Sequence, residues 1–328
     1  MNYIAVSMED TERKDMNDAR RCAASVKKAL HSKGITAEIV TIDKSYFFKD
    51  GGKLKHWLKN KKTGVIFNLF EGFGNDSFKE VIFVRELEKE NIRYTGNSSK
   101  TLEQCLDKPG CKQILTQHGV PVPAGIVVRE MPDLRPEELQ FPVFVKPASE
   151  DASVGIDRYS LCRNKTELRE VIQMKLRSHP GGLLIEEFIN GDEYNAAFTG
   201  KSADHLLAVS MIDYNEHPDC LPFISYESKW DESSTDFREL NFSILKESSP
   251  LKKTVTEISA KAAEVLNCTG YFRVDLRESA GKFHVLDVNP NPDINEDAGF
   301  ARQAGAAGHS YPDLIETIFR GAFYETHE

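Results

Sequence analysis

The chain has 328 residues, enough for two or three domains with cores of their own. Hydrophobic residues make up 40% and charged residues 28%, which is typical of a soluble globular protein. The formal net charge of -9 argues against nonspecific nucleic-acid binding, because that binding depends on a basic surface.

Several features of the sequence favour a cytoplasmic protein without a membrane segment. Its 6 cysteines are scattered without a CxxC pair, which argues against a zinc or redox motif and fits a reducing compartment. The start, MNYIAVSMED, lacks the basic and apolar regions of a signal peptide. No apolar run approaches the roughly 20 residues that cross a bilayer.

The first region, residues 1–100, alternates predicted strands and helices. Short apolar runs predict strands at Tyr3–Ser7, Ile35–Ile42 and Val65–Leu69. Apolar residues on one face predict helices at Asn17–Lys33 and Phe78–Lys89. This alternation predicts a small parallel sheet of Rossmann-like type. The absence of a GxGxxG motif gives little support for dinucleotide binding.

Two further regions follow, at residues 101–188 and 189–328, and we expect each to be a domain. The second opens with a helix from about Lys108 to His118, in which Pro109 fits the first turn. Its other predicted elements are strands at Gly125–Val128, Val143–Lys146 and Leu183–Ile189 and a capped helix at 164–177. The third contributes a strand at Tyr194–Thr199, a helix at Lys252–Leu266, a hairpin and a terminal helix from Pro312.

The hairpin, from Tyr271 to Asp293, is the most informative stretch of the chain. Its first run, Phe272–Leu276, alternates apolar and charged residues, and the second, Lys282–Asn289, follows a turn at Gly281. Strand residues two apart share a face, so the polar residues of each run lie together.

Folding the hairpin about its turn places Asp275 opposite Asp287 and Arg273 opposite Asn289. Opposed Cβ atoms lie about 4.5–5.5 Å apart, so the two carboxylates repel unless a cation or a proton lies between them. A set of oxygen ligands without His or Cys suits Mg²⁺ rather than zinc. The simpler alternative is the solvated face of an ordinary hairpin.

Three lysines precede the hairpin at positions that could serve an anionic ligand. Lys146 ends a buried strand beside a loop of small residues, where it can reach a phosphate that the loop amides cradle. Lys108 opens a helix, where a cation opposes the helix dipole and an anionic ligand would explain its place. Lys229 lies in a polar segment predicted to be a loop. For Lys146 and Lys229 the alternative is simple solvation.

The end of the strand at Leu183–Ile189 offers a site for a purine. Its backbone groups can bond the purine edge, while Phe188 or Ile189 packs on the ring. Glu193, a few residues later, can accept hydrogen bonds from two ribose hydroxyls.

In this order, the motifs resemble the ATP-grasp superfamily, and most closely the D-alanine–D-alanine ligase family. The order runs from Lys108 through Lys146-Pro147 and Ser153-Val154-Gly155 to Glu186–Ile189, Glu193 and Lys229, and ends with Arg273-x-Asp275 and Asp287-x-Asn289. The resemblance covers nearly the whole chain. It implies an α/β (α+β) protein of three-domain ATP-grasp architecture, with a Rossmann-like N-terminal domain and ATP held between two α+β domains.

The resemblance also implies roles for individual residues. Lys108, Lys146 and Lys229 would bind the ATP phosphates, and Ser153, Val154 and Gly155 would cover them. The segment of Glu186, Glu187, Phe188 and Ile189 would meet adenine, and Glu193 would hold the ribose. Asp275, Asp287 and Asn289 would bind Mg²⁺, as two ions, and Arg273 would stabilise the transferring phosphoryl group. The family further implies a homodimer.

The residues expected around the amino-acid substrates depart from the family pattern. Glu12 stands where the family has an acid for the substrate ammonium, but Ala152 and Trp230 replace its serine and tyrosine partners. Glu71 replaces a histidine and Asp293 a glycine. Together with Asp76 and Asp297, Glu71 and Asp293 predict an acidic pocket for a substrate that carries an extra positive charge, such as lysine, arginine or a polyamine. The alternative is that some of these acids are solvated or cap helices.

The implied reaction is the ligation of a small carboxylate to a small amine through an acyl phosphate, with ADP as a product. Arg273, Lys229 and Glu12 are the expected catalytic residues. A closing segment at residues 226–237 would exclude water. Two alternatives stay open: an ATP-grasp phosphotransferase without an amine acceptor, and a nucleotide-binding protein without catalysis.

Overall fold

The computed structural model describes residues 1–8, 14–47, 52–60, 64–74, 76–151, 153–231 and 233–323. The strands in these ranges form an N-terminal, a middle and a C-terminal sheet. None of the helices in the same ranges combines the length and apolar character that a bilayer crossing requires.

The N-terminal sheet is parallel, as predicted, with strand order β2-β1-β3-β4. Its strands are β1 (Asn2–Ser7), β2 (Ala37–Ile42), β3 (Val65–Leu69) and β4 (Arg93–Tyr94). The accompanying helices are α1 (Lys14–Ser32), α2 (Gly52–Asn60), α3 (Phe78–Lys89) and α4 (Ser99–Leu106). The predicted bounds of β3 and α3 are confirmed.

The middle sheet is antiparallel, with strand order β5-β8-β6-β7. Its elements are α5 (Lys108–Gln117), β5 (Gly125–Val128), β6 (Val143–Pro147), β7 (Leu161–Cys162), α6 (Lys165–Lys175) and β8 (Leu183–Glu187). Asn164 caps α6 by accepting hydrogen bonds from the backbone of Thr166 and Glu167. The strand predicted to reach Ile189 ends at Glu187 instead, where the chain leaves the sheet.

The C-terminal sheet is antiparallel, with strand order β11-β10-β9-β12-β13. Its strands are β9 (Glu193–Phe198), β10 (Leu206–Ile212), β11 (Ser243–Ile244), β12 (Phe272–Ser279) and β13 (Lys282–Asn289). The helices are α7 (Tyr226–Trp230), α8 (Thr235–Glu239), α9 (Pro250–Val265), α10 (Gly299–Ala306) and α11 (Tyr311–Gly321). Short 3₁₀ turns lie at Lys44–Phe47, Met131–Asp133, Pro136–Glu138, Ala203–His205 and Tyr214–Glu216.

The segment predicted as a polar loop at residues 226–237 contains helix α7 and the start of α8, so that prediction is wrong. Ser225 accepts a hydrogen bond from the backbone of Ser228, and Ser234 accepts one from the backbone of Phe237. Each serine satisfies an N–H group that a helix start leaves without an internal partner. The spacing of these serines was the signal that the sequence offered.

The last two helices pack against the N-terminal region rather than on their own sheet alone. Phe300 of α10 and Leu314 of α11 belong to the same apolar cluster as Ile4 of β1 and Val26 of α1. Lys33, just after α1, pairs with Glu316 of α11 at 3.4 Å. The end of the chain therefore joins the first and last parts of the fold.

The buried side chain of Asn97 connects the N-terminal region to the hairpin by several hydrogen bonds. Its Nδ2 donates to the carbonyl oxygens of Tyr271 at 3.0 Å and Pro290 at 2.7 Å. Its Oδ1 accepts from the backbone N–H groups of Thr269 at 2.7 Å and Gly270 at 3.3 Å. Gly270 must be glycine, because a Cβ there would lie 2.6 Å from the carbonyl oxygen of the facing loop.

We expect Asn97→Ala to lower the free energy of unfolding by at least about 2 kcal/mol, because several buried backbone groups lose their partners together. Urea unfolding measures the loss. Asn215→Ala is the matched control: this exposed asparagine bonds Asp213 locally, and its loss should cost no more than about 0.5 kcal/mol. Equal effects of the two substitutions would contradict the role of Asn97.

Candidate active site

A cavity of about 1270 Å³ lies between the middle and C-terminal sheets. Its walls are the ends of β6 and β8, strands β9, β12 and β13, helices α7 and α8, and the start of α10. Of the predicted site residues, it is lined by Lys108, Lys146, Ser153, Val154, Glu186, Glu187, Phe188, Ile189, Glu193, Lys229, Trp230, Arg273, Asp275, Asp287, Asn289 and Asp293. Residues spread over almost two hundred positions of the sequence thus share one cavity.

The hairpin has the predicted register, with Asp275 paired with Asp287 and Arg273 with Asn289. Arg273 binds the Asp275 carboxylate with both ends of its fork, Nε to Oδ1 at 2.6 Å and Nη2 to Oδ2 at 2.8 Å. The amides of Asn195 and Asn289 each donate to the same carboxylate at 2.8 Å. Asp275 is therefore held in one orientation by three side chains.

Asp287 is neutralised from a different element. Lys108, at the start of α5, places its Nζ 2.6 Å from Oδ2 of Asp287 and 3.1 Å from Oδ1 of Asp151. Burial alone would raise the pKa of Asp287, but the ammonium groups of Lys108 and Lys146 outweigh it and lower that pKa. The two facing carboxylates of the hairpin thus each have a cation of their own.

Lys146 and Lys112 share the carboxylate of Glu186. Lys146 Nζ lies 3.0 Å from Oε2 and Lys112 Nζ lies 2.6 Å from Oε1. All three side chains are buried. Burial would raise the pKa of Glu186, but the two lysines lower it, so the group carries its charge. This carboxylate therefore holds Lys146 at the cavity wall and binds Lys112 through its other oxygen.

The predicted phosphate loop turns sharply at Ser153 and Gly155, both of which have positive φ angles, 60° and 74°. A Cβ on Gly155 would lie 2.6 Å from Cγ of Pro147, so this close approach requires glycine. Lys175 of α6 secures the loop from behind, donating to the carbonyl oxygen of Gly155 at 2.7 Å and pairing with Asp157 at 2.8 Å. Ser153 and Val154 line the cavity at the tip of this turn.

The end of the cavity away from the hairpin carboxylates is aromatic. The ring of Phe144 lies 4.9 Å from that of Phe223 and 6.2 Å from that of Phe188, centroid to centroid. Glu193 lies at the same end, where it is 9% exposed and accepts a hydrogen bond from Tyr214 Oη at 2.9 Å. Flat apolar walls beside a fixed carboxylate can hold a base and its sugar.

Lys229 lies on α7, where its Nζ is 4.9 Å from the ring centroid of Trp230. Both residues line the main cavity and also a smaller one of about 130 Å³ behind it. The smaller cavity is rich in carboxylates, from Asp18, Glu71, Glu80, Glu150, Asp151 and Asp293.

Burial and neighbouring charge raise the pKa of two of these carboxylates. Burial, and then the charge of Asp293, raises the pKa of Asp18. Burial, and then the charge of Glu71, raises the pKa of Glu80 well above its ordinary value, although Asn291 donates to its Oε1 at 2.8 Å. The small cavity is therefore a place where a positive charge would be stabilised.

One predicted pocket residue lies apart from both cavities. Asp76 pairs with Lys79 at 3.2 Å and does not line the main or the small cavity. Glu12 lies outside the described residues. Asp297, which lines the main cavity, pairs with Arg21 at 3.0 Å.

The hairpin oxygens fit a hard divalent cation. The described residues contain no group of three or more His, Cys, Asp or Glu side chains able to enclose a metal by themselves. Asp275, Asp287 and Asn289 instead offer two carboxylates and an amide at one edge of an open cavity. This donor set suits Mg²⁺, which takes few protein ligands and fills its octahedron with phosphate oxygens and water.

Several residues of the site did not emerge from the sequence. Lys112 lies one helical turn after Lys108 in α5, a spacing that puts both lysines on one face. Arg277 continues the alternation of Arg273 and Asp275 along β12. The helical spacing could have revealed Lys112, and the strand alternation could have revealed Arg277. Asn195 and Tyr214 gave no local signal.

The architecture is that of the ATP-grasp class. The solved structure of a D-alanine–D-alanine ligase from Bacillus anthracis, complexed with ATP, matches this fold with a TM-score of 0.75. The match is 22% identical in sequence and covers 98% of this chain and 97% of that chain. The predicted fold class is confirmed.

Sequence comparison identifies the family within this class. The family described as "D-ala D-ala ligase C-terminus" matches residues 116–320. An uncharacterized protein of Sinorhizobium fredii, y4sG, is 30% identical over 260 residues, which cover 79% of this chain and 74% of that protein. A D-alanine–D-alanine ligase of Thermotoga petrophila is 28% identical over 316 residues, which cover 92% of each. The chain belongs to the D-alanine–D-alanine ligase family.

The raised pKa of Glu80 makes a prediction about stability. A carboxyl group that binds its proton more tightly in the folded state destabilises the fold at high pH, and this cost vanishes below its unfolded pKa of 4.5. We expect Glu80→Gln to raise the Tm at about pH 8 and to change it little at about pH 4. Scanning calorimetry across this pH range is the measurement.

Glu316→Gln is the control, because it also removes one negative charge. Hydrogen bonds from Arg320 and Lys33 lower the pKa of Glu316, so its loss should lower the Tm at about pH 8. A Tm that rises equally in both variants would show that net charge, not the burial of Glu80, is responsible.

Proposed function

We propose that this protein is an ATP-dependent carboxylate–amine ligase that forms an amide bond through an acyl phosphate. The observation that carries the proposal is the cavity itself. It has an aromatic end with Glu193 and an opposite end where lysines and Arg273 meet the hairpin carboxylates. This polarity matches a nucleoside at one end and its phosphates at the other.

The nucleotide would lie along the cavity from β8 to the hairpin. The backbone of Glu187 and Ile189 would bond the adenine edge, with Phe188 beside the ring, and Glu193 would accept from the ribose. Lys108, Lys146 and Lys229 would bind the phosphates, and Ser153, Val154 and Gly155 would supply the loop over them. Glu186 would act by holding Lys146 at the wall, where their ion pair is 3.0 Å long.

Asp275, Asp287 and Asn289 would hold Mg²⁺, because their oxygens are the donors that this ion prefers. When bound, the ion would neutralise charge on the transferring phosphoryl group. Lys108 now pairs with Asp287 and Asp151. Binding of a nucleotide would let this ammonium exchange carboxylate partners for phosphate oxygens.

In the proposed reaction, an oxygen of the substrate carboxylate attacks the γ-phosphorus of ATP and ADP leaves. The amine of the second substrate then attacks the acyl carbon, loses a proton, and displaces inorganic phosphate. Arg273 is fixed on Asp275 by two hydrogen bonds and would stabilise negative charge on the phosphoryl oxygens. Helices α7 and α8 would cover the cavity, since an acyl phosphate hydrolyses in water.

We expect Asp275→Asn to reduce ADP formation at least about 100-fold, because the amide cannot replace the carboxylate charge at the metal. Coupled-enzyme detection of ADP measures the rate. The amide keeps one oxygen that accepts from Arg273 while its NH2 group faces a second donor, so circular dichroism must verify that the variant is folded. Asp204→Asn, outside the cavity lining, should retain full activity.

Two outcomes would redirect the assignment. Full turnover by Asp275→Asn would contradict the metal site. ADP or phosphoryl-product formation with a carboxylate alone, at a rate that no amine increases, would indicate a phosphotransferase instead of a ligase.

The carboxylates of the small cavity favour a substrate that carries an additional positive charge. Asp18, Glu80 and Asp293 line the small cavity, and burial followed by the charge of a neighbouring carboxylate raises the pKa of Asp18 and of Glu80. A second ammonium or a guanidinium would stabilise the ionised forms. We propose a basic amino acid or a polyamine as one substrate. D-alanine, which the names of the relatives give, is the substrate against which its activity is compared.

The test is a panel of amines and amino acids of both chiralities, scored by ADP release and by mass spectrometry of the products. We expect lysine-like, arginine-like or polyamine substrates to exceed neutral ones. Asp293→Asn should raise the KM of the cationic substrate about 10-fold and leave neutral ones nearly unchanged. Activity confined to neutral D-amino acids would contradict the proposed substrate class while preserving the ligase assignment.

A further inference from the structure

Arg277 lies in β12, two residues after Asp275, and is 2% exposed. A guanidinium this deeply buried is costly unless its N–H groups find acceptors. It also lines the main cavity at the aromatic end. Nothing in the phosphate chemistry of the opposite end requires a cation here, so its function must be sought among its own contacts.

Its three nitrogens bind three acceptors in two segments of the chain, residues 189–193 and Pro222. Nε donates to Oε2 of Glu193 at 3.2 Å, and Nη1 donates to the carbonyl oxygen of Ile189 at 3.1 Å. Nη2 donates to the carbonyl oxygen of Pro222. Because the guanidinium is planar and rigid, these acceptors are held in a fixed mutual geometry.

Aromatic rings complete the surroundings of the guanidinium. Its Cζ is 5.0 Å from the ring centroid of Phe188 and 4.6 Å from that of Tyr214. Both distances lie within the range of cation–π attraction. Tyr214 Oη donates to the same Oε2 of Glu193 that Arg277 binds. Oε2 of Glu193 thus accepts both hydrogen bonds, and Oε1 of Glu193 accepts neither.

The segments that Arg277 joins are those that form the aromatic end of the cavity. We call the space between Phe188 and Phe223 the aromatic slot. Ile189 follows Phe188 and Pro222 precedes Phe223, so the hydrogen bonds from Arg277 to these two carbonyl oxygens fix both sides of the slot. The third bond fixes the carboxylate beside the slot. One side chain therefore sets both the width of the slot and the position of Glu193.

We propose that Arg277 is the positioning residue of the nucleoside end. It holds Glu193 through Oε2 so that Oε1 accepts a hydrogen bond from a ribose hydroxyl, and it keeps the base slot at a fixed width. The inference rests on the proposed function, because it takes the nucleotide as the ligand of this cavity. It does not depend on which amino acids are joined.

The test compares binding of ATP and of 2′,3′-dideoxy-ATP, each with Mg²⁺ and without amino-acid substrates, by calorimetric titration. The wild-type protein should prefer ATP about 10-fold or more, since a hydrogen bond to a charged group is lost in the analogue. Arg277→Met should weaken ATP binding about 10-fold and bring the preference close to one. In turnover, the KM for ATP should rise while kcat stays within about twofold.

Two further variants test the geometry of the guanidinium and control for the loss of an arginine. Arg277→Lys keeps the charge but cannot hold three acceptors in one plane, so the preference should fall at least about threefold. Arg320→Met is the matched control, an exposed arginine on α11 that pairs with Glu316 at 2.6 Å, and should change neither nucleotide's affinity. Thermal unfolding reports whether each variant is folded.

The outcomes separate this inference from the proposed function. A full preference for ATP in folded Arg277→Met would overturn the role of Arg277. If that variant does not fold, a full preference in Arg277→Lys would overturn it equally. Failure of the wild-type protein to bind ATP at all would refute the nucleotide site itself. A fall in kcat without a rise in the KM for ATP would show that Arg277 has a structural role and does not position the nucleotide.

Discussion

The cross-strand pairing of Asp275 with Asp287 is the constraint on which the site depends. The register of β12 and β13 puts these two carboxylates side by side on the cavity wall. Two partly buried carboxylates this close together repel each other without counter-charges. Arg273 supplies one from the same strand, and Lys108 supplies the other from α5. Charge balance at the hairpin therefore fastens the middle region to the C-terminal sheet.

The same balance extends along the wall. Lys108 also pairs with Asp151 in the phosphate loop, while Lys146 and Lys112 share Glu186 at the end of β8. Burial opposes ionisation of these acids, yet the lysines lower the pKa of both Asp287 and Glu186. The cations are thus already fixed in place, and a polyanionic ligand would meet them without much reorganisation.

The two ends of the cavity relate differently to the family. The fold matches that of a D-alanine–D-alanine ligase from Bacillus anthracis, and the sequence resemblance implies that the nucleotide end follows the family pattern. The small cavity behind Trp230 departs from that pattern, because Glu71 and Asp293 bring negative charge to positions where the resemblance implies a histidine and a glycine. Membership of the family thus supports the chemistry of ligation more firmly than it supports any particular substrate.

Local patterns in the sequence determined much of the fold. Period-two alternation predicted the hairpin and its facing pairs, and helical periodicity predicted α3 with its observed bounds. Both succeed because each signal is contained within about a dozen neighbouring residues. The short helices α7 and α8 were missed, since polar side chains cover them and their serine caps were the sole local signal.

Long-range contacts were decided by the tertiary structure alone. The sequence placed Lys108, Lys146 and Glu193 in order, but not the sharing of Glu186 by two lysines or the three acceptors of Arg277. Nor did it show that α11 packs against α1. Such contacts join residues tens to hundreds of positions apart, and no periodicity records them. They follow from burial, which forces each charged group to find its partner wherever the fold brings one within reach.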